Sequence, residues 1–189
     1  MKKTKLILPS LALAASISSC DPKAAENSEA NSSSEEVAMS EEEQRQSPLK
    51  KISGEINGKK INLQYGAPSV KNREIWGDLV PFDVVWRTGA NEATFIEIVD
   101  PIQVEGKTLE PGKYSLFTIP KETGPWTVIF NSDWDLEHGH FQYNENNDVL
   151  RVTASPSKGD DAQEMLSFEI ADPGIILKWE KVTLPISIE

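Results

Sequence analysis

The side chains best suited to bind a ligand are concentrated in one stretch of the chain, from Tyr65 to Ile98. An arginine there offers five donors in a rigid fork, which suits a carboxylate, a phosphate or a pair of sugar hydroxyls, while Asn and Glu add acceptors. We regard this stretch as a candidate site for a glycan or another small ligand. Its candidate polar residues are Arg87, Asn91, Glu92, Arg73 and Glu74.

Arg87 also has a structural interpretation. The stretch is a long connection rich in turn-forming residues, and such loops lack the regular hydrogen bonds of a sheet. An arginine can then act as an internal staple, pairing with Glu92 or Glu74 and pinning the loop to the sheet. We expect this structural role, and the ligand role is the alternative.

Five tryptophans provide aromatic surface that can stack on sugar rings. Trp126 and Trp179 are in phase with aliphatic residues of predicted strands, which indicates core positions. Trp76 and Trp134 lie in predicted loops instead. These two are the candidates for an aromatic platform that binds a glycan.

Oxygen-bearing side chains at alternate positions resemble part of a calcium loop. An EF-hand loop needs glycine at its sixth position and glutamate at its twelfth, where this chain has Leu136 and Gln142. The EF-hand interpretation therefore fails, and a looser calcium site is an alternative to a solvated loop. The four residues are Asn131, Asp133, Asp135 and Glu137.

His138 and His140 also occupy alternate positions, which can place two imidazoles on one side of a strand. Two ligands do not make a zinc site without a third such as Glu137. We favour a solvated polar loop here too. The sequence predicts no metal site and no cofactor.

The patterns of familiar hydrolases are missing from the sequence, which has neither a serine elbow nor an HExxH motif. Glycoside hydrolysis needs a pair of carboxyl groups. Acidic residues are numerous here, so many pairs would qualify, and their abundance is no evidence for a catalytic pair. We therefore predict no catalytic residues. The alternative is a carbohydrate-active or other hydrolase with acids around the Tyr65–Ile98 loop.

The charge of the chain excludes one class of partner. Its 189 residues include 19 basic and 30 acidic side chains, a net charge of −11. Three lysines precede residue 20, so a chain without residues 1–19 has 16 basic and 30 acidic residues, a net of −14. Such a chain lacks the basic surface on which nucleic acids bind. It does not dock on anionic lipid by surface charge either.

The first twenty residues have the pattern of a secretion leader. A lysine-rich head precedes an apolar run from Leu6 to Ile17, which is too short to span a bilayer. Ser18 and Ser19 then precede Cys20, and this sequence resembles the lipobox of bacterial lipoproteins. The resemblance implies a signal peptide over residues 1–19 and acyl chains on Cys20. Several acyl chains would anchor the protein stably to a membrane.

Residues 20–47 are polar and acidic, with eight acids and two bases after the cysteine. Such a segment buries too little apolar surface to offset its ordering entropy. We predict a disordered tether that holds a folded domain, residues 48–189, off the membrane. The expected location is the cell envelope, facing the periplasm or the cell surface.

Residues 48–189 consist of short alternating runs separated by turn signals, which predicts an all-β domain of about nine or ten strands. We expect a single antiparallel β-sandwich, with a partly closed barrel as the alternative. The clearest hairpin turns at Asn57-Gly58 and places Ile52 opposite Leu63. A change of parity at Glu180-Lys181 predicts a bulge or a tight bend in the last strand.

Several stretches of this domain carry a family resemblance. The most specific is the Trp-Arg-Thr-Gly-Ala-Asn-Glu run at 86–92. Together they resemble the bacterial domain-of-unknown-function family 2911, from about residue 50 to the end of the chain. The resemblance implies a secreted or lipid-anchored protein and leaves its activity open. The stretches are 68–77, 79–82, 85–94, 109–120, 126–131 and 148–152.

Overall fold

A computed structural model describes residues 45–189. The predicted signal peptide, Cys20 and the tether as far as residue 44 lie outside the described residues. Within them the chain forms ten strands and two short 3₁₀ helices, Gly139–Gln142 and Glu145–Asn147, neither of which is long or apolar enough to cross a bilayer. The strands are β1 (Leu49–Ile56), β2 (Lys59–Gly66), β3 (Phe95–Ile98), β4 (Ile102–Val104), β5 (Lys107–Leu109), β6 (Gly112–Ile119), β7 (Trp126–Asn131), β8 (Asp148–Ala154), β9 (Ser157–Ala171) and β10 (Gly174–Ser187).

One layer is a six-stranded sheet in the order β1-β2-β3-β6-β7-β8, with every neighbouring pair antiparallel. The hairpin β1–β2 has the predicted register, with Ile52 opposite Leu63. Asn57 and Gly58 have φ values of 51° and 76°, as a type I′ turn requires. The Asn-Gly pair therefore fixes which residues of the hairpin face the core.

The opposing layer is built from the long hairpin β9–β10 and the short hairpin β4–β5. Backbone hydrogen bonds between Gln103 and Glu189 (2.8 and 2.9 Å) join β4 to the end of the chain. β9 lies beside β1, and β10 contacts β8. The predicted all-β sandwich is confirmed, and its sheets remain open, unlike those of the barrel alternative.

The core between the layers contains a group of four tryptophans, Trp76, Trp86, Trp126 and Trp179. Trp126 and Trp179 are 2% and 1% exposed, which confirms their predicted core positions. Trp86 and Trp179 stack with ring centroids 5.8 Å apart, and Trp76 lies 4.9 Å from Trp126. Trp86 and Trp179 of this group also line the candidate pocket.

The predicted bulge in the last strand is confirmed. Glu180 has φ 53°, and the register between β9 and β10 shifts on both sides of it. Between Lys178 and Val182 the paired residues of β9 run from Ser167 to Lys158, so the regular pairing is interrupted there. Leu177 and Leu184, on either side of the irregularity, are both buried despite their opposite parity.

Within the stretch from Tyr65 to Ile98, the chain pairs with β6 at two points that are separated by a loop. Trp86 exchanges backbone hydrogen bonds with Thr118 of β6 (2.8 and 2.9 Å), and Thr94 accepts another from the next part of β6. Residues 87–93 therefore leave the sheet and return to it. Residues 84–86 have the composition of a short strand, but only Trp86 of this run pairs with β6.

The 87–93 loop folds back over the end of β2. The amide of Ala90 donates to the carbonyl of Gly66 at 3.2 Å. A Cβ at Gly66 would lie 2.1 Å from the carbonyl oxygen of Ala90, so only glycine permits this approach. The position of Arg87 thus depends on a glycine at the end of β2.

Candidate functional site

A pocket of about 280 Å³ opens between the 87–93 loop, the turn at 68–73 and the 3₁₀ helix at 139–142. We call it the Arg87 pocket. Three cations line it, and no aspartate or glutamate does so among the described residues. The lining residues are Gln46, Ser47, Pro68, Ser69, Lys71, Arg73, Leu79, Val80, Trp86, Arg87, Gly89, Ala90, Asn91, His140 and Trp179.

One edge of the Arg87 guanidinium is held by His140, where Nη1 lies 2.8 Å from Nδ1. Because a guanidinium only donates, Nδ1 must accept, and the neutral imidazole carries its proton on Nε2. Burial lowers the pKa of His140, and the charge of Arg87 lowers it further. The neutral form that accepts from Arg87 is therefore favoured.

The aliphatic part of Arg87 crosses Gly139. A Cβ at Gly139 would lie 2.3 Å from Cδ of Arg87, and the backbone there has φ 51°. Both the contact and the conformation favour glycine. Together with the bond to His140, this contact fixes the plane of the guanidinium.

The opposite edge of Arg87 has no hydrogen-bond partner among the described residues. Nε is buried without a hydrogen-bond partner, and no described residue accepts from Nη2. Burial lowers the pKa of Arg87, and the nearby charge of Glu92 opposes that shift. Nε and Nη2 present two parallel N–H groups, the arrangement that binds the two oxygens of a carboxylate or phosphate.

The expected staple between Arg87 and Glu92 or Glu74 is wrong. Both carboxylate oxygens of Glu92 accept from Nη2 of Arg45 at 2.6 Å, and Glu74 is exposed. Arg87 does staple its loop, but its partner is His140, 53 residues away. The sequence offered no signal for that pairing beyond the presence of both residue types.

The structure gathers part of the predicted polar cluster. Arg73, Arg87 and Asn91 line the Arg87 pocket, whereas Glu74 and Glu92 are not among its lining residues. Arg73 is exposed, and its Nε donates to the carbonyl of Val70 at 3.1 Å, which closes its own turn. Lys71 and His140 also line the pocket, although the sequence did not mark them as ligand-binding partners of Arg87. Lys71 adds the third cation, and His140 holds Arg87.

The two candidates for an aromatic platform lie apart. Trp76 packs in the tryptophan group of the core. Trp134 packs edge-on against Phe95 at 5.7 Å, and the ammonium of Lys113 lies 3.6 Å from its ring centroid. Phe95 and the core residue Ile96 face opposite sides of the sheet, so the two tryptophans do not form one platform.

Two of the four residues of the possible calcium loop, Asn131 and Asp133, make internal side-chain hydrogen bonds. The side-chain amide of Asn131 donates to the carbonyl of Asn144 and to Asp148, both at 2.8 Å. The carboxylate of Asp133 accepts from Asn147. No group of three His, Cys, Asp or Glu side chains in residues 45–189 is arranged to hold a metal ion.

A second polar cluster joins Tyr143, Asp148 and Arg151. The Tyr143 hydroxyl donates to Asp148 at 2.7 Å, and Nε of Arg151 donates to the same carboxylate at 2.6 Å. Burial and the bond to Asp148 raise the pKa of Tyr143 to about 12. The carboxylate also accepts from Asn131, so this cluster ties β7 and β8 to the loop between them.

Comparison with known families fits this geometry. A family model described as "Protein of unknown function (DUF2911)" matches residues 47–188. The chain belongs to the DUF2911 family. The DUF2911 match spans all ten strands, and the run at 86–92 that carries the resemblance forms one wall of the Arg87 pocket. A search of curated proteins found no match to this chain. A search of solved structures found none either.

Proposed function

We propose that this DUF2911 protein is a lipid-anchored, non-enzymatic binding module of the cell envelope, with the Arg87 pocket as its ligand site. The leader and Cys20 support the anchor. The acidic segment at 20–47 would then hold the sandwich away from the membrane, because like charges extend such a tether.

The unpaired Nε–Nη2 edge of the Arg87 guanidinium carries the proposal. Buried polar groups in folded proteins are nearly always paired, and an unpaired donor is costly. An arginine kept only as a staple would satisfy its donors internally, as Arg73 and Arg151 do with Nε. Arg87 instead has a buried Nε without an acceptor on the wall of a pocket.

The pocket favours binding over hydrolysis. Glycoside hydrolysis needs a pair of carboxyl groups across the scissile bond, and the described lining contains none. Nδ1 of His140 already accepts from Arg87 and is not available as a base. The acids of the Tyr65–Ile98 stretch lie elsewhere, and no specific observation supports the hydrolase alternative.

A ligand screen tests the binding role. The mature, acylated protein in neutral detergent would be mixed with glycans and small metabolites, and its melting temperature recorded beside that of Arg87→Lys. We expect compounds that raise the melting temperature of the wild type and leave Arg87→Lys unmoved. If all stabilising compounds act equally on both proteins, the Arg87 pocket is not the site.

Metabolic labelling tests the anchor separately. Cells supplied with a labelled fatty acid should produce a labelled wild-type protein, whereas Cys20→Ser should carry no label. A labelled Cys20→Ser protein, or an unlabelled wild type, would contradict lipid attachment at Cys20.

A further inference from the structure

The Arg87 pocket differs in charge from the chain that contains it. The full sequence has a net charge of −11, yet the described lining contains Lys71, Arg73 and Arg87 without an acidic residue. A cleft lined by one sign of charge concentrates ligands of the opposite sign. Charge therefore narrows the range of ligands beyond what the fold implies.

We infer that the ligand is a small organic anion whose carboxylate or phosphate oxygens bind the Nε–Nη2 edge of Arg87. The inference rests on the proposed function, since it assigns a ligand class to the same pocket. It replaces the broader expectation of a glycan or another small ligand with a ligand that must carry a negative charge.

Geometry gives the first reason. Two parallel N–H groups on one guanidinium edge match the spacing of two oxyanion oxygens. Nη1 is held by His140 and the stem lies against Gly139, so the edge is oriented before a ligand arrives. A preorganised site loses less entropy on binding.

Local electrostatics give the second reason. The positive charge of Arg87 is partly desolvated, and the carboxylate of Glu92 is engaged by Arg45 at 2.6 Å. An anion in the pocket would restore the stabilisation that burial removes. The ammonium of Lys71 has no hydrogen-bond or ion-pair partner among the described residues and lines the same pocket, so it can provide a second charged contact.

Size gives the third reason. The pocket holds about 280 Å³, just below the range of roughly 300 to 1,000 Å³ that is typical of drug-sized ligands. Trp86 is 8% exposed and Trp179 1% exposed, so little aromatic surface is offered for sugar stacking. The site therefore suits a compact ligand held by charge better than a neutral sugar held by stacking.

NMR of arginine side chains tests this directly. The mature protein, labelled with ¹⁵N, would be titrated at constant ionic strength with acetate, benzoate and inorganic phosphate, and then with the neutral acetamide and benzamide. We expect one or more of the anions to move the Arg87 Nε–H signal downfield saturably, and the amides to leave it in place. Arg151 provides an internal control, because it does not line the Arg87 pocket and its Nε already donates to Asp148.

Variants connect the signal to the pocket. Arg87→Lys should remove the signal and weaken binding of the active anion by about tenfold or more, because lysine cannot bind with two parallel donors. Lys71→Gln should weaken binding by a smaller factor while keeping the fold. Lys51→Gln removes the same charge from an exposed position on β1 and should leave the affinity within about twofold.

The outcomes separate the two proposals. Amides that move the Arg87 signal as far as the anions do would overturn the assignment of an anionic ligand while leaving a binding pocket. Anion binding that survives in Arg87→Lys would also overturn it. If no anion moves the signal but a neutral compound from the screen binds through Arg87, the inference of an anionic ligand fails and the proposed binding function stands. If nothing binds through Arg87, both proposals fail.

Discussion

The two edges of the Arg87 guanidinium differ in their surroundings. Nη1 donates to His140 and fastens the 87–93 loop to the 3₁₀ helix at 139–142, while Nε and Nη2 face no protein acceptor among the described residues. The staple and ligand interpretations, which the sequence treats as alternatives, are therefore compatible in one side chain.

Removing Arg87 should destabilise the protein. Arg87→Ala loses a hydrogen bond from a charged donor and the packing of its stem on Gly139, which we expect to cost about 1.5–3 kcal/mol of unfolding free energy. Urea denaturation would measure this cost. Lys51→Ala, on an exposed strand position, should stay within about 0.5 kcal/mol of wild type. Equal stability of both variants would contradict the staple.

His140 makes stability depend on pH. Its pKa in the folded protein is below 6.5, so the unfolded chain binds a proton more readily. The contribution to stability is present above about pH 6.5 and is lost as the pH falls through the folded pKa. Glutamine can still accept from Arg87 but cannot titrate, so His140→Gln should show a flatter decline in melting temperature between about pH 7.5 and pH 5.

His138 provides the control for that experiment, since it is exposed and is the other of the two histidines in the chain. His138→Gln should retain the acid sensitivity of the wild type. If the two glutamine variants give the same pH profile, the Arg87–His140 contact does not control the titration.

A substitution at Gly139 strains the backbone and also disturbs the contact with Arg87, and a control glycine separates the two effects. Gly139→Ala places a methyl against Arg87 and also puts alanine at φ 51°, whereas Gly124→Ala meets no atom within 4 Å at φ 82°. Both substitutions carry the strain of a left-handed residue, about 1 kcal/mol. We expect Gly139→Ala to be the more destabilising of the two by thermal denaturation. Equal losses would mean that Arg87 does not pack on Gly139.

Among the strands, side-chain alternation predicts the correct elements where one face of the strand is buried. The hairpin β1–β2 and the bulge at Glu180 follow from side-chain period and turn chemistry. The alternating pattern covers only residues 165–170 of β9, which begins at Ser157 with exposed polar residues that show no alternation. Strand pairing there comes from the partner β10, which a local pattern cannot reveal.

The end of β2 should be sensitive to a single methyl group. Gly66→Ala would force the carbonyl of Ala90 away and shift the 87–93 loop, at a cost of about 1–3 kcal/mol, as for other overpacked sites. Gly159→Ala, in β9, meets no atom within 4 Å and should change stability by less than about 1 kcal/mol. Chemical denaturation of the two variants checks this; similar losses would contradict the close approach of Gly66 to Ala90.

At the scale of the whole molecule, the pocket combines segments that are distant in sequence. The turn at 68–73, the 87–93 loop and the helix at 139–142 meet only when the sandwich assembles. Residue type alone identifies Arg73, Arg87 and Asn91 as candidate ligand-binding residues, because arginine and asparagine in a loop offer hydrogen-bond donors and acceptors. It did not reveal the pairing of Arg87 with His140 or the role of Gly139, since both depend on long-range contacts.

The most direct measurement is a crystal structure of the protein soaked with whichever anion binds in solution. We expect oxyanion density about 2.7–2.9 Å from Nε and Nη2 of Arg87, with Nη1 still bonded to His140. An Arg87 that turns to pair with Glu92, or an anion bound elsewhere while the Arg87 pocket holds only water, would contradict it.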